Sequence, residues 1–450
     1  MSLTSLPLEV LEAIMMYVDA TDLVNVWKSV GFDSSETFWR KMCEREGYKK
    51  DLEEDESWRD VFVIRTNWLS YKNCVKREYE FITKTKMQVF AHMMCAKPLR
   101  GTLCGENLIL DDGCEVSVWN IDDGPKLIQT LPGTVLKTSN SNLLLKTGSD
   151  TVIYSLENRE FYEIVKTFPD CKKFYCEKRV YCLSDEFFAV ITTKGEIYHL
   201  LKIINLRNQE EFSENLCFPH IDIYDFSFYG EILNIVLLLP THNLVLKSFN
   251  LHLKHWLFDL LLFDSVFLED VSKIMTDNII VAWYNIGHSG CIRFWDRSTQ
   301  NEIRTTFSNR EVPHFFWVVA TEKYVILSVK EKNFYIWHSI DPNNFKVMER
   351  GTQFYNGQSI VSSSLLVLSY SFGFKVVDFK QVVYLYEVRF ETPGIELDKL
   401  FLPQPFFVSK KFYIGLLDTT IVNVDKACKN KENKYIMSIY DFRAEIYKET

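Results

Sequence analysis

Apolar residues near the start of the chain recur at helical spacing. Leu11, Ile14, Met15 and Val18 form one stripe, and Leu23, Val26, Trp27 and Val30 form a second. Phe38, Trp39, Met42 and Cys43 form a third. Pro7 suits a first helical turn. Asp19, Ala20 and Thr21 break the first helix, with Thr21 as N-cap of the second, and Ser34 or Ser35 can cap the third. A segment of about forty residues cannot bury this much apolar surface on its own. The surplus calls for the rest of the chain or another protein. Trp58, Val61, Phe62, Trp68 and Leu69 predict one amphipathic helix over residues 56–72, a stalk that locks the first three helices to the rest of the chain. Residues 73–90 fit no period.

Beyond residue 90 the pattern becomes short apolar runs opened by turn residues. EVSVWN follows Asp112-Gly113, TVIYS follows Asp150 and EIYHL follows Gly195. LVLKS follows Asn243, CIRFWD follows Gly290 and FYIWH follows Asn333. FKVVD follows Gly373, and IVNVD follows Thr419-Thr420. Aligned on a Trp-like column they place Trp119, Tyr154, His199, Lys247, Trp295, Trp337, Val377 and Val424 in register. The spacing is close to the roughly 40–45 residues of a four-stranded propeller blade. A second apolar run precedes each, such as ENLIL, SNLLLKT and ILNIVLLL. These near-continuous runs suit sheets covered on both faces. The pattern predicts an all-β propeller, with eight blades favoured and seven possible if the unit at Lys247 or Val424 is an insertion. A β-sandwich array is the rival.

Leu6-Pro7, Glu9-Val10, Ile14, Tyr17-Val18, Asp22-Leu23, Val26 and Trp39 stand in an order that resembles an F-box. The segment 28–35 departs from that pattern by being short. The later repeats resemble a degenerate WD-repeat propeller. Trp295-Asp296 keeps the signature dipeptide, and the usual Gly-His dipeptide is missing at the expected offset. The fold implied is a small all-α F-box over residues 1–45, a helical linker over 46–89 and a propeller over 90–450. The F-box resemblance implies a substrate-recognition adaptor of a Skp–cullin–F-box ubiquitin ligase. Such a protein docks on the Skp adaptor, and through it on a cullin, and holds a protein substrate on its propeller. It performs no covalent chemistry and acts by proximity. Leu6, Pro7, Val10, Ile14, Val18, Leu23, Val26 and Trp39 match positions expected to build the box and its adaptor-facing surface. A non-ligase scaffold using the same two modules is the alternative, and an enzyme with its site at a propeller channel is a third reading.

Composition narrows the classes. Apolar residues make up 47% and charged residues 25%, as in a globular chain, and the 15% aromatic content leans toward β-structure. The net charge of −9 argues against non-specific binding to nucleic acid or an anionic membrane. The 11 cysteines form no CxxC pair. Cys171, Cys176 and Cys182 lack histidines at finger spacing, so neither a metal nor another cofactor is expected, and the pattern fits a reducing compartment. With no basic-then-apolar leader and no apolar run near spanning length, the expectation is a soluble protein of the cytoplasm, the nucleus or both.

Catalytic motifs are lacking: there is no P-loop, dinucleotide fingerprint, HExxH or nucleophile elbow. Gly287-His288-Ser289-Gly290 reads as a hairpin turn. His199, His242, His252 and His255 are scattered. Asp111-Asp112 and Asp122-Asp123 flank glycines at turns, and the basic run Lys426 to Lys434 reads as a solvated loop. Arg293, two residues before Trp295, is a candidate for substrate contact, with packing as the stronger reading.

Overall fold

In the computed structural model the described residues are 6–30, 34–46, 48, 57–71, 74–83, 100–111, 113, 115–122, 124–157, 161–168, 178–194, 198–216, 222–264, 270–276, 278–286, 289–306, 315–321, 324–329, 333–338, 341–349, 357–362, 364–370, 373–390, 406–409, 411–418 and 433–443.

Three short helices come first: α1 (Leu8–Met15), α2 (Ala20–Val30) and α3 (Glu36–Glu46). The Pro7 carbonyl accepts the N–H groups of Val10 and Leu11, which starts α1. The Asp19 carbonyl accepts those of Asp22 and Leu23, so α2 starts one residue before the expected cap Thr21. Ser35, not Ser34, caps α3: its Oγ accepts the Phe38 N–H at 3.1 Å. Leu23, Val24, Phe38, Trp39, Met42 and Cys43 are buried together with Met15 of α1.

The fourth helix, α4 (Trp58–Ser70), lies inside the expected 56–72 span. Ser57 and Asp60 form a reciprocal capping box, and Tyr71 ends the helix in the left-handed region at φ 57°. Every residue from Val61 to Trp68 is buried, so this helix is covered on all sides rather than on one stripe. Val61, Phe62 and Val63 complete the core of the three-helix box. Ile64 and Trp68 belong to a different core, inside the β-domain. That division answers where most of the surplus apolar surface goes.

The β-domain is eight four-stranded antiparallel sheets. Strands β2–β5 form blade 1 over residues 100–132, β6–β9 blade 2 over 134–168 and β10–β13 blade 3 over 178–216. Strands β14–β17 form blade 4 over 222–263, β18–β21 blade 5 over 270–306, β22–β25 blade 6 over 315–349 and β26–β29 blade 7 over 357–389. Blade 8 is composite. Its strands β30 (Phe406–Val408), β31 (Phe412–Asp418) and β32 (Asn433–Asp441) are joined by β1 (Val75–Thr83), which pairs with β32 from Val75↔Asp441 to Thr83↔Asn433. The N-terminal strand thus closes the ring. The helical linker expected over 46–89 therefore stops at Ser70, and the propeller begins at Val75 rather than at 90.

The unit at Lys247 is a full blade, which makes the count eight and not seven. The repeat register, however, shifts in three units. In seven blades the N–H two residues past the Trp-like position donates to the carbonyl just before the second strand. The pairs are Ile121 to Glu106, Leu156 to Ser141, Leu206 to Glu186, Leu251 to Glu231, Arg297 to Asn278, Phe379 to Ser364 and Phe442 to Lys411. This bond puts Ile204, Phe249 and Tyr440 in the column where His199, Lys247 and Val424 were expected. The expected eighth opening, residues 419–425, lies outside the described residues, and the third strand of blade 8 is β32. Strand lengths differ, so aligning on their beginnings slips, whereas their ends are fixed chemically. Side-chain oxygens of Asn120, Asn205, Asn250, Asp296, Asp378 and Asp441 each accept a backbone N–H two or three residues on.

Candidate functional site

The box keeps one apolar face open. Leu11 and Met15 seat α1 in the core at 3% and 1% exposure, while Leu8, Val10 and Ile14 stay about 40% exposed and Tyr17 is 92% exposed. Val10, Ile14 and Tyr17 are spaced i, i+4, i+7, one row along the helix and its final turn. This row is held in place rather than loosely attached. The Arg45 guanidinium donates to the carbonyls of Met16 at 2.5 Å and Val18 at 2.9 Å, which fixes the end of α1. Glu12 accepts the Ser35 N–H at 2.8 Å, tying α1 to the start of α3.

The eight expected box residues divide into two groups. Pro7, Val10 and Ile14 are exposed, and Leu6 is half-buried. Leu23 and Trp39 are interior at 0% and 1% exposure, and Val18 and Val26 pack half-buried against that interior. Sequence reasoning left Leu8 and Tyr17 out of the site. The spacing of Tyr17 from Ile14 was the available signal for Tyr17, since α1 carries two apolar rows and its partners in the fold need only one.

Arg293 does not stand open on the surface. Its guanidinium lies over the Phe263 ring at 5.0 Å and donates to the Leu262 carbonyl at 3.2 Å, which joins blade 5 to blade 4. The carboxylate of Asp111 serves a turn: it accepts the N–H groups of Gly113 at 2.7 Å and Val135 at 2.9 Å. His199 is buried, with Nδ1 3.1 Å from Thr193 Oγ1. Lys273 is buried between the innermost strands of blades 4 and 5, 3.1 Å from Asp225 and 2.9 Å from Ser227 Oγ. Cys171, Cys176, Asp112, Asp123, Gly287, His288 and Val424 lie outside the described residues, as does most of the basic run at 426–434. Among the described residues no three His, Cys, Asp or Glu side chains gather as a metal site, and no helix is long and apolar enough to cross a membrane.

One charged cluster on blade 7 sets a pH dependence. Glu387 accepts hydrogen bonds from Tyr370 Oη at 2.7 Å and Arg389 Nε at 2.8 Å, and Lys375 Nζ lies 3.3 Å away. Partial burial alone would raise this carboxyl. The bonds from Tyr370, Arg389 and Lys375 outweigh it and bring the pKa from 4.5 down to about 2. A depressed folded-state pKa means the cluster's contribution is present above the ordinary value and is lost as pH falls through the folded one. Glu387→Gln is expected to flatten the urea-midpoint profile between about pH 4.5 and 2. An unchanged slope would remove Glu387 from the acid response.

No protein-family model matches this chain, and no curated protein matches it. Solved structures do. The computationally designed Ika8 protein aligns at TM-score 0.50 and 10% identity, covering 76% of this chain and 95% of its own. The Dos1 propeller aligns at TM-score 0.49 and 12% identity, with 76% and 92% covered. Sqt1 of Saccharomyces cerevisiae aligns at 0.47 and 9%, with 76% and 94% covered. At these identities the likeness to the designed protein is one of fold: the chain is an eight-bladed β-propeller with four helices ahead of it.

Proposed function

We propose that the chain is a non-catalytic substrate receptor of a Skp–cullin–F-box ubiquitin ligase, with the open face of α1 as the contact for the Skp adaptor. The observation that carries this reading is the exposed apolar row Val10, Ile14 and Tyr17 on a helix that Leu11 and Met15 seat in the box. Its residues overlap the order Leu6-Pro7, Glu9-Val10, Ile14, Tyr17-Val18 that resembles an F-box. The propeller then holds a protein substrate for ubiquitin transfer by the conjugating enzyme on the cullin arm.

The attachment of α4 supports a division of faces. Val361, in the turn after the first strand of blade 7, and Phe442, just past β32, lie at one end of their blades, and α4 bonds to both. The longer blade-to-blade connections, from Phe168 to Lys178, Thr306 to Phe315 and Arg389 to Phe406, start and finish at the other end. Loops of varied length are where recognition usually resides. The substrate side is the end away from the box.

Co-expression with a Skp adaptor tests the reading. Wild type should co-elute with it, and Val10→Glu/Ile14→Glu should not, with its thermal unfolding unchanged, because both side chains are exposed. Leu23→Ala should instead lower stability by about 2–4 kcal/mol, being interior. Folded wild type that fails to co-elute would sink the ligase reading in favour of the scaffold.

A further inference from the structure

The strands nearest the axis are not equal around the ring. In blades 1 to 6 they run five to eight residues. In blade 7 the first strand, β26 (Gly357–Ile360), has four residues, and in blade 8 β30 has three, paired at Phe406↔Gly415, Phe407↔Ile414 and Val408↔Tyr413. Among the described residues these two inner strands are the shortest, and their blades are adjacent, at the closure of the ring. They are also the two that α4 touches.

The contacts are specific. Ile64 and Trp68 enter a core made of Val361, Leu365 and Phe374 from blade 7 with Tyr413 and Tyr440 from blade 8. The Trp68 ring stacks on Phe442 at 3.5 Å and 15°. Asn67, fully buried, donates to the Phe442 carbonyl at 2.7 Å, and Arg65 donates to the Val361 carbonyl. Tyr386 of blade 7 returns a bond from Oη to the Trp68 carbonyl at 2.8 Å. Shortly after α4 ends at Ser70, the same segment becomes β1, the outer strand of blade 8. One stretch of chain therefore wedges blade 7 to blade 8 and then completes the sheet. Its other face, through Phe62, lies in the box beside Trp39 at 5.4 Å.

We propose that α4 is the clasp of the ring, and that through it the folding state of the box is coupled to closure of blades 7 and 8. The helix packs across the seam between blades 7 and 8, into a core that the two blades share. A helix shared by two cores cannot loosen in one without loosening in the other. The coupling does not depend on what binds the box, so it stands or falls separately from the ligase reading.

Hydrogen exchange on the full-length chain tests it. In Leu23→Ala, which perturbs only the interior of the box, exchange should rise at least about thirtyfold in α1–α3 and rise with it in β1 and β32, with blades 3 to 5 unchanged. Tyr386→Phe/Asn67→Ala, which leaves the box intact, should raise exchange in β1, β32 and blade 7 and also in α3. A rise confined to the box in the first variant, or confined to blades 7 and 8 in the second, overturns the coupling. If Leu23→Ala unfolds throughout, the second variant alone decides by the same criterion.

Discussion

A chain that starts at residue 90 is expected not to fold, whereas one that starts at Ser57 is expected to form a ring that closes but is looser at blades 7 and 8 than in the full chain. The difference is β1. It forms the whole outer edge of blade 8, and its pairing with β32 covers nine consecutive positions. Without it, β32 becomes an exposed edge. Met437, Ile439 and Tyr440, all buried in the full chain, would then lie beside unpaired backbone groups. Among the described strands no other ladder joins the start of the β-domain to its end, so losing this one removes ring closure itself. A start at residue 74 separates the two contributions. It keeps β1 and loses Ile64 and Trp68, and should fold with stability lowered by about 3–5 kcal/mol, the usual cost of deleting a buried Trp-sized group. Near-UV circular dichroism and thermal unfolding read all three chains. A cooperative transition from the residue-90 chain, close to that of the full chain, would show that closure does not need β1.

The misplaced boundary shows what was legible in the sequence and what was not. Strands buried on both faces announce themselves as apolar runs, so the second and third strands of most blades could be read directly: LLVLSY over Leu365–Tyr370 is buried at all six positions. VKREYEFIT of β1 could not. It is an outer strand that alternates charge with half-buried residues, and its apolar positions have meaning only opposite β32, more than three hundred residues away. The register slips at His199, Lys247 and Val424 have the same origin. Their true counterparts, Ile204, Phe249 and Tyr440, are marked by where a turn ends the strand, a feature of local hydrogen bonding rather than of hydrophobic pattern. In the box, periodicity found the interior residues Leu23, Phe38 and Trp39. It could not separate the row that packs from the row that stays open, because both rows of α1 are equally apolar. The packing of the box decides that Leu11 and Met15 turn inward and Val10 and Ile14 do not, a tertiary choice that the bonds from Ser35 and Arg45 help to fix.

Arg443→Met is expected to lower stability by about 3–5 kcal/mol, the cost of leaving a buried carboxylate without its partner. Arg443 is 2% exposed, directly after Phe442, on which Trp68 stacks, and it joins the last blade to the first. Its Nε and Nη2 each lie 3.2 Å from an oxygen of Asp441, its Nη1 bonds to Asp122, and Glu106 is 3.5 Å away. The guanidinium also stacks over Phe412 at 4.2 Å. Burial would lower the arginine's pKa, but the bonds and charges of Asp441 and Asp122 outweigh it and hold it above its ordinary value. Methionine keeps an unbranched apolar stem of similar length and removes the charge, and with it the guanidinium's stacking on Phe412. The 2% exposed carboxylate of Asp441 is then left with the backbone N–H of residue 443 and the distant Arg77 at 3.9 Å. Adding Asp441→Asn should recover a large share of the loss, because the asparagine oxygen can still accept that N–H without a buried charge. Urea midpoints of the two single variants and the double variant measure the coupling. Additive losses would mean that the two charges do not act as a pair.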